Sequence, residues 1–556
     1  MTRNDQAGLH VTTWLMIIGL ACLVGALFVL GLTPPISKDA LTHHLAVPKL
    51  YIKHGGIYEI PFMIFSYYPM NLDLLYMIPL YFGNDIVPKS IHFSFALLTA
   101  LLIFLNLKHR TNRLYAMFGV LFFLSLPIII KLSVTVYVDL GLMFFSTASL
   151  LLILKWLNEG FPLRLLVFSA ICCGLGMGTK YNGLIVFFLL GLFVPFLYVR
   201  YRPTDKAFVL DVLKQSLVFV FVAVLVYSPW MIRNYVWVQN PIYPLYDQWF
   251  NPQSDVSQSV GLLAYRAIAY QEQWWEIALL PIRIFFQGQD NNPQYFDGRL
   301  NPGLLILPIF AFCCPRSDAQ TVKREKAILL AFAVLFFGFV LFTSGIRARY
   351  ILPMIPPLVL LSILGVRNLI NSIAGATKSW AKKVMRIGIL GTVLICLLLN
   401  FEYLITQFRI INPLSYLSGE VSREEYISKF RPEYPIMQYI NKNLSSDALV
   451  LFLFMGNRGY YCDRDYLFDM KGTRSLLEEI TEDSDTVEDI WERLLGMKVT
   501  HILMHHGIFS QWVDTNPSNK GRTMIHQFVN TYLDVLCREK EYNLYVLKKD
   551  SHMQSG

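Results

Sequence analysis

The chain has 556 residues, of which 54% are hydrophobic and only 16% charged, and its mean hydropathy is +0.45. A water-soluble fold of this size cannot hide that much apolar side chain, so a soluble enzyme or binding module is excluded and a polytopic membrane protein is expected. The net charge of +9 would suit nucleic acid or anionic lipid. However, most of the excess Lys and Arg lies in short loops between apolar runs, the signature of membrane topology, and no nucleic acid partner is expected.

In chain order, apolar length and charge breaks predict about eleven transmembrane helices. They cover 11–32, 86–107, 114–131, 138–157, 163–179, 182–200, 208–230, 302–315, 326–344, 350–368 and 384–405, with 302–315 the shortest. The first is read as an uncleaved anchor, because its apolar run is long and no small-x-small cleavage site ends it. Basic turns follow at Lys108, Arg110 and Arg113; at Arg200, Arg202 and Lys206; at Arg316, Lys323, Arg324 and Lys326; and at Lys378, Lys382, Lys383 and Arg386. With a cytoplasmic N-terminus all four fall in the cytoplasm. The segments 33–85 and 231–301 then lie on the outer face, as does everything from 407 onward. The 33–85 loop carries amphipathic pieces at 40–54 and 70–82 that suit the membrane surface.

Composition shifts to polar and acidic after 406. Ala448–Phe454 and Val499–Met504 read as buried strands, Leu476–Leu495 as largely helical, and Tyr542–Leu547 as a closing strand. The division is therefore a transmembrane domain over 1–406 and a small extracytoplasmic α/β domain over 407–556. The eight cysteines show no metal spacing. Cys22, Cys172, Cys173, Cys313, Cys314 and Cys396 fall in spans or at their ends. Cys462 and Cys537 could be bonded or free.

Ionisable residues beside apolar spans need a reason to be there. Asp39 follows the first span, as a general base or as a helix N-cap. His44 lies five positions on; with His43 it gives too few ligands for a metal site. Asp139 opens a later span on the same face. Lys180 ends the small-residue stretch Gly174–Lys180, either to meet a phosphate or as a snorkelling cation. Arg347 and Arg349 sit on the outer face, opposite the basic bias, and suit a phosphate. Lys89 and His92 could join them. The aromatic residues of 228–275 read mainly as an interfacial belt.

Taken together, several motifs resemble one family. Asp39 leads to Pro48-Lys49-Leu50-Tyr51, and Ser66-Tyr67-Tyr68-Pro69 leads into the second surface helix. Asp139 sits in Val138-Asp139-Leu140-Gly141-Leu142, and the Gly-rich stretch ends in Lys180. Ser228-Pro229-Trp230 runs to Arg233-Asn234 and on to Asn240-Pro241-Ile242-Tyr243-Pro244, and Arg349-Tyr350-Ile351-Leu352-Pro353 closes the set. Their order resembles the GT-C-fold glycosyltransferases that use polyprenyl-phosphate sugars, the superfamily of the protein O-mannosyltransferases and the lipid A aminoarabinose transferases. Relatives often carry two adjacent acids where this chain has Lys38-Asp39-Ala40, which sets an acid-pair role apart from this chain.

The resemblance implies an integral glycosyltransferase of the inner (plasma) membrane, acting with inversion on an acceptor hydroxyl of a lipid, glycan or protein. It implies Asp39 as base, with Asp139 and His44 at the reacting centre. Lys180, Arg347, Arg349 and Lys89 would meet the donor phosphate, and Lys49, Tyr67 and Tyr350 the substrate. No metal ligands are assigned, and dependence on a divalent metal is left open. The rival readings are a transporter or lipid flippase, a non-catalytic scaffold, and an oligosaccharide ligase with a diphosphate-linked donor.

Overall fold

The computed structural model describes residues 3–202, 208–252, 261–313, 319–342, 345–375, 379–471, 474–515 and 518–549. Lys206, Arg316 and Lys378 of the basic turns, and Cys314, lie outside the described residues. Among those described, seven helices are long and apolar enough to cross a membrane, or eight if one bent pair is counted as a span. The predicted eleven exceed this. The bent pair is Arg113–Ser125 with Pro127–Ser133, set at 66°. Pro127 lacks an N–H and forces Leu126 out of helical geometry, to ψ 134. The predicted span at 302–315 is instead a single turn, Gly303–Ile306, continued by a short 3₁₀ segment, Leu307–Ala311, too short to cross.

Burial ranks the helices. In Ala348–Ser372 94% of the apolar window is buried and in Asp139–Asn158 72%, against 17% in Val209–Val238 and 11% in Lys382–Ile411. The first two therefore form the centre of the bundle, and the last two face lipid. Small residues set the spacing beside that centre. A Cβ on Gly174 would lie 2.6 Å from the Ala223 carbonyl oxygen, and one on Gly178 would lie 2.3 Å from Asn71 Nδ2. Asn71 in turn ties its helix, Asn71–Tyr81, to the end of Leu163–Met177. Its backbone N–H donates to Gly178 O at 2.9 Å and its Nδ2 donates to Leu175 O at 3.2 Å.

The C-terminal part carries a five-stranded sheet. Leu449–Leu453 pairs in parallel with Asp465–Phe468 on one side and His501–His505 on the other. Tyr542–Leu547 runs antiparallel beside His501–His505, and Leu533–Glu539 completes the edge. The strands Asp465–Phe468 and Leu533–Glu539 are additions to the expected set. The Leu476–Leu495 helix is broken into Leu476–Glu482 and Val487–Gly496, the second opened by a Thr486/Asp489 capping box. Cys462 and Cys537 are both free thiols.

This domain packs directly on the 33–85 segment. Tyr460 N–H donates to Leu41 O at 3.1 Å and Tyr461 Oη donates to Pro35 O at 2.7 Å, on either side of Asp39.

Candidate functional site

One end of the bundle gathers most of the candidate residues. Asp39 immediately precedes a π-helical turn, Ala40–His44, closed by Leu45 N–H on Ala40 O at 2.9 Å. The wider turn brings both His43 and His44 within electrostatic reach of Asp39, whereas α-helical spacing predicts only His43 on that face. Asp139 and Arg349 reach the same place from the first turns of the two central helices. Lys180 follows the end of Leu163–Met177.

Two ion pairs result. Arg349 Nη1 lies 2.6 Å from Asp39 Oδ2, and Lys180 Nζ lies 2.6 Å from Asp139 Oδ1. Aromatic faces support the cations: Arg349 stands 4.9 Å from the Tyr137 ring centroid and 5.6 Å from that of Tyr350, and Lys180 stands 5.2 Å from the Tyr350 ring. Neither pair is saturated. Asp139 Oδ2, Arg349 Nε and His43 Nδ1 are buried without a hydrogen-bond partner.

The charges of the surface turn follow from burial and neighbours. Burial pushes the Asp39 carboxyl up, but Arg349, with His43 and His44, more than offsets that and holds it well below the usual carboxylate range. Burial holds the His43 and His44 imidazoles down at about 3, so both are neutral at pH 7. His44 Nδ1 lies 2.7 Å from Asp73 Oδ1, and burial raises Asp73 to about 7. With His44 neutral, that contact is a hydrogen bond rather than an ion pair.

Other candidates are drawn elsewhere. Lys89 is buried and donates to Thr33 O at 2.7 Å, Thr33 Oγ1 at 3.1 Å and Pro34 O at 3.2 Å, so its ammonium clamps the exit of the first span instead of facing a phosphate. Lys49 donates to Tyr460 O at 2.7 Å, Cys462 O at 3.1 Å and Asp463 Oδ1 at 2.7 Å, which makes it a clasp on the C-terminal domain rather than a substrate contact. Tyr67 Oη donates to Glu59 at 2.6 Å. Arg347 parts from Arg349 and lies 3.6 Å from Asp297. His92 accepts from Leu140 N–H at 3.0 Å, seating the first turn of the Asp139 helix.

Asp73 and Tyr137 escape a reading by sequence pattern, and Arg233 enters it only inside a motif, with no role of its own. Arg233 Nη2 donates to the carbonyls of Tyr67 and Tyr68 at 2.6 and 3.1 Å, and so braces the Ser-Tyr-Tyr-Pro segment. The motif Ser228-Pro229-Trp230 to Arg233-Asn234 is the sequence signal that carries it.

Among the described residues no three His, Cys, Asp or Glu side chains converge. Arg349 covers one Asp39 oxygen, and His44 is committed to Asp73. A cavity of about 920 Å³ between the helices Arg3–Gly31 and Ser379–Ile411 is lined mostly by apolar side chains and includes none of these residues.

Comparison with known proteins bears on the fold and on one segment of the chain. Residues 63–236 match the family model described as dolichyl-phosphate-mannose-protein mannosyltransferase, a segment that contains Asp73, Asp139, Lys180 and Arg233. No curated protein sequence matches the chain. Among solved structures, ArnT from Cupriavidus metallidurans bound to undecaprenyl phosphate superposes with a TM-score of 0.58 at 13% identity, covering 97% of this chain and 99% of that one. The archaeal oligosaccharyltransferase AglB from Archaeoglobus fulgidus superposes with a TM-score of 0.50 at 12% identity, over 96% of this chain and 74% of that one. With that family segment set inside a fold shared with ArnT over nearly the whole of both chains, the protein is a multi-pass membrane protein with the fold of ArnT and AglB, carrying a mannosyltransferase-family segment over 63–236.

Proposed function

We propose that the protein moves a sugar from a polyprenyl-phosphate donor to an acceptor hydroxyl at the outer face of the inner membrane, with inversion. The carrying observation is the pair of undersaturated ion pairs, Asp39–Arg349 and Asp139–Lys180, side by side at one end of the bundle. They supply what the reaction needs. A carboxylate kept ionised can accept the hydroxyl's proton as its oxygen attacks the anomeric carbon. Fixed cations can meet the charge that grows on the departing phosphate.

In this reading Asp39 is the base. Arg349 keeps it ionised at any physiological pH, and Lys180 and Arg349 face the leaving phosphate, with Tyr350 packed between them. Asp139 holds Lys180, and His44 fixes the turn that carries Asp39. The lipid part of the donor is supported by the relatives: the ArnT structure holds undecaprenyl phosphate, and the AglB structure holds a dolichol-phosphate and an inhibitory peptide. The basic turns support an N-terminus in the cytoplasm and a C-terminal domain outside it. Arg110, Arg324 and Arg367 gather at the end of the bundle opposite Asp39.

The test uses the purified protein in lipid nanodiscs with a panel of labelled polyprenyl-phosphate sugars and a cell-envelope extract as acceptor. Release of polyprenyl phosphate from one donor, lost in Asp39→Asn, is the expected result. Release from a diphosphate-linked donor alone would turn the reading to an oligosaccharide ligase. Turnover undiminished in Asp39→Asn would remove Asp39 as the base.

A further inference from the structure

Three histidines lie buried at this end of the bundle, and two have hydrogen-bond partners. His92 contacts the carbonyls of Leu132 and Thr135 through Nδ1, both at 3.0 Å, and accepts from Leu140 N–H through Nε2. His44 holds Asp73 through Nδ1. His43 differs. It is 9% exposed, yet its Nδ1 has no hydrogen-bond partner. Its ring is fixed by stacking on Phe65, with centroids 4.5 Å apart, and by the His44 ring at 4.0 Å. Leaving a buried imidazole nitrogen unpaired is costly, and such an exception calls for an explanation.

Asp39 supplies one. Held by Arg349, this carboxylate accepts a hydrogen bond readily but retains a proton poorly. The attacking hydroxyl must nevertheless lose its proton for good. The surroundings of the His43 ring act both ways: burial, the largest influence, opposes an imidazolium together with His44 and Arg349, while Asp39 and Asp73 favour one. His44 is neutral, and Arg349 is already paired with Asp39. A proton arriving from Asp39 therefore finds a neutral imidazole one turn away, flanked by two carboxyl groups.

Resting on the transfer reading, we propose that His43 is the proton acceptor behind Asp39. The acceptor oxygen bonds to the anomeric carbon, and the bond from that carbon to the phosphate oxygen breaks with its electron pair leaving on the phosphate. The hydroxyl proton crosses Asp39 and ends on the unprotonated ring nitrogen of His43, which later returns it to water.

The experiment follows donor turnover in nanodiscs for wild type, His43→Ala, His43→Gln and Asp39→Asn, with and without added imidazole. The expected result is a fall in kcat of about 100-fold or more in His43→Ala, with donor KM little changed and kcat partly restored by imidazole. His43→Gln should remain low, because an amide can hydrogen-bond but cannot take the proton. Turnover in His43→Gln within a few-fold of wild type would reduce His43 to a positioning residue and overturn the proposal. So would loss in His43→Ala that imidazole does not restore. Loss in Asp39→Asn alone would overturn the His43 step and leave the transfer reading standing. Absence of release by wild type from every donor would overturn both.

Discussion

The two ends of the bundle carry buried charges in opposite conditions. At the end away from Asp39, Glu325 accepts from Arg110 on both oxygens and from Asn158 as well, and Arg324 closes on Asn158 from the other side. At the Asp39 end, each ion pair is held by one short contact, while Asp139 Oδ2 and Arg349 Nε stay unpartnered. A saturated carboxylate fixes helices against one another and has nothing left to offer a ligand. An undersaturated one keeps donor and acceptor capacity in a place where leaving it unused is costly. The contrast lies in the carboxylates, Glu325 with both oxygens engaged and Asp139 with one spare, since Arg324 Nε is also buried without a partner at the Glu325 end.

Exchanging charge for an isosteric amide at each end tests that distinction, and the largest effect is expected here. Asp39→Asn should lower kcat of the folded protein by about 10²–10⁴-fold, and it also lowers the unfolding temperature, because Arg349, 9% exposed, loses its anion. Glu325→Gln should lower the unfolding temperature as well, but with kcat of the folded protein near wild type. Equal losses of kcat in both would break the comparison.

Stranding a charge is the next test. Lys180→Met leaves the Asp139 carboxylate, 1% exposed, without its cation, and should cost about 3–5 kcal/mol of stability. Adding Asp139→Asn should restore much of that stability and none of the turnover. Arg110→Met strands Glu325 in the same way. Its cost in thermal unfolding should be of the same order, but with kcat preserved in the folded fraction.

Much of this arrangement was legible in the sequence. Lone acids and basic residues beside apolar spans stand out because lipid makes them costly, so Asp39, Asp139, Lys180 and Arg349 could be found singly and ordered against a family pattern. The structure brings these four together. Partnership was not legible where it depends on tertiary contact. His44 meets Asp73 across 29 positions, and the π-helical turn that brings His44 as well as His43 within reach of Asp39 leaves no mark in a periodicity of 3.6. Nor does sequence show which cations are already engaged. Lys89 and Lys49 look as available as Lys180 until their carbonyl partners are seen. The break of the 114–131 span had a visible cause in Pro127, and the failure of 302–315 to span had one in its length.

The His44–Asp73 contact predicts a pH effect of intermediate size. Burial raises Asp73 to about 7 in the folded protein, against 3.8 when exposed. Between those values the folded state binds the proton that the unfolded state has released. Each rise in pH through that window therefore lowers stability, and the contribution is fully lost above about 7. Asp73→Asn removes this slope. Relative to wild type, the variant should gain unfolding temperature as pH rises from 4 to 7 and stay level above it. A difference that does not vary with pH would mean that Asp73 is ionised throughout.

The smallest effect concerns Lys49, where the two domains meet. Its side chain is 31% exposed and its partner Asp463 57% exposed, so the ion pair itself should contribute at most about 1 kcal/mol and weaken with salt. The two carbonyls it also holds, Tyr460 O and Cys462 O, belong to the loop whose backbone and side chains touch Leu41 and Pro35. Lys49→Met should therefore loosen the C-terminal domain locally, seen as faster amide exchange over 460–463, while donor KM is unchanged. A rise in donor KM without faster exchange would return Lys49 to the substrate, and with it the view that the surface helix Ala46–His54 faces the active site rather than the domain above it.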